Sequence, residues 1–176
     1  MITYRTLNIS ELSRKLFKSF SRRQTVTKCL QKENAQWVIR DAPFIDDWSE
    51  DDYAFLIDCL KNTLETGGFV CGAFSGGALK GFVSVESTPM GTRGQYLDLS
   101  SLHVSSDMRR YGIGRELFKS AQRFAREAGA EKLYISSHSA VETQAFYRSV
   151  GCVDAEEYNE EHVLREPYDR QLECRL

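Results

Sequence analysis

The sequence has no apolar run long enough to span a bilayer, so no membrane partner is expected. Its opening, MITYRTLNIS, carries no basic stretch leading into an apolar one, so no secretory signal is expected either. It has no excess of charge of one sign. Its 23 lysines and arginines against 25 aspartates and glutamates leave a net charge of −2, with both signs interspersed. Such a balance supplies no bulk field to attract nucleic acid or anionic lipid. The five cysteines, Cys29, Cys59, Cys71, Cys152 and Cys174, form no CxxC pair. The three histidines stand singly, without HxH or HExxH spacing. An odd, scattered set of this kind reads as reduced, buried thiols in a cytoplasmic protein, with neither a disulfide frame nor a metal site. Repeats, linkers and low-complexity segments are missing as well. What remains is 176 residues, 41% hydrophobic and 27% charged, which is enough for one soluble globular domain over residues 1–176.

The periodicity along the chain predicts an α/β architecture. MITYRTL alternates as a strand, and Ser10 is expected to cap a helix with Leu12, Leu16, Phe17 and Phe20 on one side. The stretch from Ser21 to Arg40 keeps no period and is expected as a loop with a short helix, followed by a loop at Pro43 and FIDDW. Ser49 should cap a helix with the apolar stripe Tyr53, Leu56, Ile57, Leu60 and Leu64, ended by Gly67–Gly68. FVCGAFSGGALKGFVSVES reads as a hairpin turning at Ser75–Gly77, and QYLDLSSLHV as one further strand. Ile113, Leu117, Phe118, Ala121, Phe124 and Ala125 give the next helix a strong apolar face. KLYISS is a short buried strand. Ser139 and Glu142 then stand in capping-box spacing before a helix that ends at Gly151. CVDAEEY and QLECRL are expected as final strands, joined by a polar segment. The sum is one domain with a mixed central sheet of about six to seven strands, flanked by helices.

The stretch MRRYGIGRELF places Gly112 and Gly114 at the start of that apolar helix, with Arg109 and Arg110 ahead of them. A donor-rich turn at a helix N-terminus is a seat for phosphate, because unpaired N–H groups and the helix dipole point at the ligand. Two nucleotide motifs fail here. No Gly-Lys-Ser/Thr completes a Walker loop, and no third glycine completes a dinucleotide fingerprint. What fits is Arg109-x-x-Gly112-x-Gly114 after a strand ending LHV, followed downstream by Phe146–Tyr147 four residues before Gly151. Together these resemble the GNAT superfamily of acyl-CoA N-acyltransferases. The resemblance is most specific from Tyr96 to Gly151. One departure is Ser139–Ala140, where many relatives carry an asparagine.

The resemblance implies acetyl-CoA as co-substrate and an amine of a small molecule or a protein as acceptor. Its pyrophosphate would lie on the turn formed by Arg109, Arg110, Tyr111, Gly112, Ile113, Gly114 and Arg115. In relatives the preceding strand bulges and splays, and pantetheine pairs with its edge, here Leu102, His103 and Val104. Tyr147 matches the tyrosine that protonates the coenzyme sulfur in many relatives. A lysine-like amine is neutral only about 0.04% of the time at pH 7, a penalty of about 4.6 kcal/mol, so a carboxylate base would help. Asp98, eleven residues before Arg109, is the first candidate and Glu86 the second. Asp98 reads equally well as a buried carboxylate holding a loop. Strand parity turns His103 away from Asp98. The acidic stretch with Asp46, Asp47 and Trp48 suits a cationic acceptor, although charge at a helix N-terminus also accounts for part of it. A non-catalytic acyl-CoA-sensing module is the alternative reading. A homodimer stays open, with QLECRL expected to offer a pairing edge.

Overall fold

In the computed structural model, which describes residues 1–176, two four-stranded sheets diverge from one another. The first is antiparallel, in the order β1 (Ile2–Thr6), β4 (Phe69–Ser75), β5 (Ala78–Val85) and β7 (Ser101–Val104). The second runs β6 (Tyr96–Asp98), β8 (Lys132–Ser137), β10 (Arg170–Arg175) and β9 (Val153–Asp154), with only the β6–β8 pair parallel. A separate hairpin is made of β2 (Gln24–Glu33) and β3 (Gln36–Asp46). Four α-helices complete the chain: α1 (Glu50–Glu65), α2 (Ile113–Glu127), α3 (Val141–Ser149) and α4 (Glu160–Arg165).

Strand alternation puts the two long helices on opposite faces. On β5, Phe82 packs with Tyr53, Leu56, Ile57 and Leu60 of α1, whereas Val83 packs with Leu117, Phe118 and Ala121 of α2. Each such fully buried side chain contributes about 1.5–3 kcal/mol of hydrophobic stabilisation. Ser49 caps α1 as its spacing predicts: its hydroxyl accepts from the Asp52 amide, and the Asp52 carboxylate accepts from the Ser49 amide.

Several expectations are corrected. The segment after β1 is no helix. It is one 3-10 turn at Ile9–Glu11, capped by Asn8, followed by turns whose amides bond three residues back, and these still bury Leu12, Phe17 and Phe20. The unperiodic stretch from Ser21 and the expected loop at Pro43 form the β2–β3 hairpin. It turns at Asn34 and Ala35, both left-handed at φ 47° and 65°. The ladder shifts register opposite Pro43, which therefore costs no paired amide. Helix α3 begins after Ala140, not at a Ser139–Glu142 box, because the Ser139 carbonyl accepts from Leu30 N–H of the hairpin at 2.8 Å. Strand β10 is interior, bonded to β8 along its length and to β9 at Leu172 and Glu173, so it is not the free edge expected for a dimer. Cys59 is exposed, and the other four thiols are buried and free.

The feature that positions the site is the break in QYLDLSSLHV, which makes two strands rather than one. Up to Asp98 the chain follows β8, and the Leu99 amide still reaches Tyr134 O at 2.9 Å. From Ser100 onward it follows β5, with Ser100 N–H to Ser84 O at 3.1 Å. Between the Glu86–Asp98 and Ser84–Ser101 pairings, Leu99 and Ser100 oppose the single residue Val85, which is a β-bulge. Beyond it β7 and the end of β8 no longer pair, and a cleft opens between them.

Candidate active site

The cleft holds about 910 Å³ and is walled by β7, the end of β8, the start of α2 and one face of α3. Leu102, His103 and Val104 all line it, and β7 is paired only with β5, so its other edge faces the opening. The His103 ring packs 4.8 Å from Trp48 and 5.4 Å from Phe82, away from Asp98. Burial, with Arg22 and Arg109 nearby, pushes its pKa down to about 3 and keeps it neutral.

At the mouth of the cleft, the amides from Arg109 to Arg115 donate no hydrogen bond within the protein, and the first ladder bond of α2 is Glu116 N–H to Gly112 O. Arg110 and Gly112 are both left-handed, at φ 70° and 79°, and flank Tyr111. Such backbone gathers N–H groups into a concavity that suits an anion. Gly112 needs its left-handed conformation, whereas Gly114 needs space: a Cβ there would stand 3.1 Å from Phe146. Arg109, Arg110 and Arg115 line the cleft beside these amides, and the Tyr111 side chain is exposed. Arg109 hydrogen-bonds no carboxylate; its guanidinium reaches the carbonyls of Val104 and Arg22. Seven open amides and three cations form a donor set that fits a pyrophosphate.

Tyr147 is 6% exposed and lines the cleft deeper in. Its hydroxyl has no partner in the chain, and burial pushes its pKa above the ordinary phenol value, so it stays protonated. Phe146 beside it also faces the cleft, against Gly114.

Asp98 and Glu86 are not brought to this lining. Asp98 is 6% exposed, and its Oδ2 lies 2.8 Å from Nε2 of His162 on α4. Glu86 accepts from Thr63 and Ser100 hydroxyls and ties α1 to the bulge. Asp46, Asp47 and Trp48 stand behind the wall. Asp46 pairs with Arg22 at 2.6 Å, the Asp47 carboxylate accepts from the Trp48 amide, and Trp48 stacks on Phe20.

Among the cleft residues that escaped the sequence reading are Arg22, Glu166 and Asp169. Arg22 lines the cleft from the hairpin side, with its Nε buried and unpartnered. Glu166 and Asp169 reach the cleft from the polar segment before β10. Burial and the Glu166 carboxylate hold Asp169 above the usual aspartate range. Arg22 sat in a stretch without periodicity, and Asp169 in a run of charges where nothing marks one carboxylate from the next.

The site therefore joins a turn of open amides, an opened strand edge and a buried protonated phenol. Residues 32–152 match the model of the acetyltransferase (GNAT) family, and the chain belongs to that family. Among solved structures, it is similar to nourseothricin acetyltransferase, at 18% identity over 99% of this chain and 98% of that one, with a TM-score of 0.70. It is similar also to a Bacillus anthracis str. Ames protein assigned as a streptothricin acetyltransferase and solved with acetyl coenzyme A. That likeness has 14% identity over 100% and 99% of the two chains and a TM-score of 0.73. A third likeness is to PaiA N-acetyltransferase from Thermoplasma acidophilum, in complex with coenzyme A, at 14% identity over 100% and 99% and a TM-score of 0.62. At these identities the likenesses speak to the fold. No curated protein matches the chain.

Proposed function

We propose that this GNAT acetyltransferase moves an acetyl group from acetyl-CoA to a primary amine, by direct attack of the amine on the thioester. The observation that carries the reading is the run of seven unpaired amides at the start of α2, opening onto a cleft that ends at a buried tyrosine. The amides and Arg109, Arg110 and Arg115 hold the pyrophosphate, and the open edge of β7 at Leu102, His103 and Val104 holds the pantetheine arm. A backbone N–H beside the bulge steadies the charge that develops on the thioester oxygen, a kind of contact worth about 3 kcal/mol to a transition state. Tyr147 gives its proton to the departing sulfur.

The acceptor approaches from the hairpin side, where Arg22, Gln24 and Thr25 line the cleft. The test is thiol release from acetyl-CoA on addition of primary amines, with titration calorimetry for acetyl-CoA alone. Binding with amine-dependent release is expected. Binding without release from any amine would favour an acyl-CoA sensor, and no binding would defeat the reading.

A further inference from the structure

A second cavity, of about 770 Å³, lies between the hairpin and the segment leading into β10, with Trp37, Phe44, Tyr158 and Tyr168 on its wall. Only His138 and Asp169 line both this cavity and the cleft. We propose that Asp169, at this junction, holds the ammonium group of the acceptor and takes its proton, while the rest of the acceptor lies in the aromatic-walled cavity under the hairpin. The proposal rests on the amine-acetyltransferase reading and names the residue that makes the amine nucleophilic.

The carboxylates near the cleft divide by what they already hold. Asp98 lies outside the lining of the cleft and holds His162 through Oδ2, its Oδ1 being buried without a partner; Glu86 is held by Thr63 and Ser100, and Asp46 by Arg22. Glu142 and Glu166 are exposed at the rim. Asp169 is half-buried and pairs with no cation; its only side-chain bond comes from the Ser136 hydroxyl, 3.2 Å from Oδ2. That bond fixes the carboxylate at the end of β8, where β7 has already diverged, and leaves Oδ1 free. Around it stand Ser136 and His138 from β8 and its end, His162 from α4, Tyr147 from α3 and Glu166 from its own segment. Phe44, Tyr158 and Tyr168 offer the rest of the acceptor an apolar wall, whereas the Trp37 ring already carries Lys32 and Arg170 over its face.

The proton balance closes on these residues. An ammonium seated at Asp169 gives one proton to the carboxylate, and the neutral nitrogen attacks the carbonyl carbon. The N–C bond forms and the C–S bond breaks. Tyr147 protonates the sulfur and recovers a proton from the new amide nitrogen, and Asp169 releases its own proton to solvent.

The experiment measures kcat/KM between pH 5.5 and 9 with n-butylamine, 1,5-diaminopentane and tyramine, for wild type, Asp169→Asn and Asp98→Asn. Acetyl-CoA affinity is measured alongside. Asp169→Asn should lower kcat/KM about 10²-fold or more at pH 7, the usual worth of a general base. It should leave acetyl-CoA affinity unchanged, and its residual rate should climb with pH as free amine accumulates. A rate for Asp169→Asn within about threefold of wild type, below that range, overturns the proposal, as does a loss confined to Asp98→Asn. If Asp169→Asn loses its fold, Asp169→Glu replaces it and should keep the wild-type pH profile; a rate that instead climbs with free amine overturns the proposal. A wild type that binds acetyl-CoA but acetylates none of the amines defeats the parent reading and this inference together. Turnover that ignores residue 169 defeats this inference alone.

Discussion

Gly114 makes room for Phe146: a Cβ on the glycine would stand 3.1 Å from Cε2 of that ring and 3.3 Å from Cζ. The turn at Arg109–Arg115 and the helix that carries Tyr147 are therefore in direct contact. Gly114→Ala should displace the ring by a few tenths of an ångström and weaken acetyl-CoA binding while the protein stays folded. Gly114→Asp adds a charge of the same sign as the phosphates and should abolish binding. Unchanged affinity by titration calorimetry in a folded Gly114→Asp protein would contradict the site.

Tyr147→Phe keeps the ring and removes only the hydroxyl. Because that hydroxyl has no partner in the chain, melting temperature and acetyl-CoA affinity should hardly change. At saturating acetyl-CoA, turnover should fall by about 10²–10⁴, the usual worth of general acid catalysis. A fall of less than about threefold, well below that range, would withdraw the acid role from Tyr147.

His162 and Asp98 tie α4 to the second sheet. The hydrogen bond to Asp98 outweighs burial and raises the histidine above its ordinary 6.5. A histidine raised in the folded state contributes stability that is complete below its unfolded pKa and is lost as pH rises through the folded one. Urea denaturation of wild type and His162→Asn should therefore show a wider gap at pH 5.5 than at pH 8.5. A gap that widens with pH would show that the histidine is neutral in this pair.

Lys132 and Glu173 form a buried ion pair at 2.7 Å, with the Tyr96 hydroxyl also donating to Glu173. Burial pushes Glu173 upward, but the bonds from Lys132, Tyr96 and the Glu156 amide hold it below the ordinary glutamate range. Lys132→Met leaves that carboxylate buried without a cation, which should cost about 3 kcal/mol of unfolding free energy at pH 7. The deficit should narrow as acid protonates Glu173. Equal stabilities by urea denaturation at neutral pH would show the pair to be dispensable.

Much of the fold from α1 onward could be read from the chain because its local signals agree with its packing; the break between β6 and β7 could not, since no glycine or proline marks it. Ser49 caps α1, Gly76 and Gly77 turn the β4–β5 hairpin, and the apolar face of α2 is the face that is buried. The β2–β3 hairpin was hidden for a physical reason. Its turn uses Ala35 in a left-handed conformation where glycine is the usual signal, and Pro43 interrupts the strand pattern at a bulge. The turn at Arg109–Arg115 was legible because glycine spacing marks backbone geometry. The position of Asp169 was not, because it depends on two cavities meeting, and no local pattern records that.

The β2–β3 hairpin pairs with itself and meets the rest of the molecule's backbone mainly where Cys29 bridges Ala140 and Leu30 N–H reaches Ser139 O. It contributes no strand to either large sheet. Insertions, deletions or wholesale exchange of residues 24–46 can therefore accumulate without re-laying the frame that grips the acyl donor. Selection for a new acceptor has a segment of its own to act on, and the chemistry and the choice of amine can diverge at separate rates along a lineage.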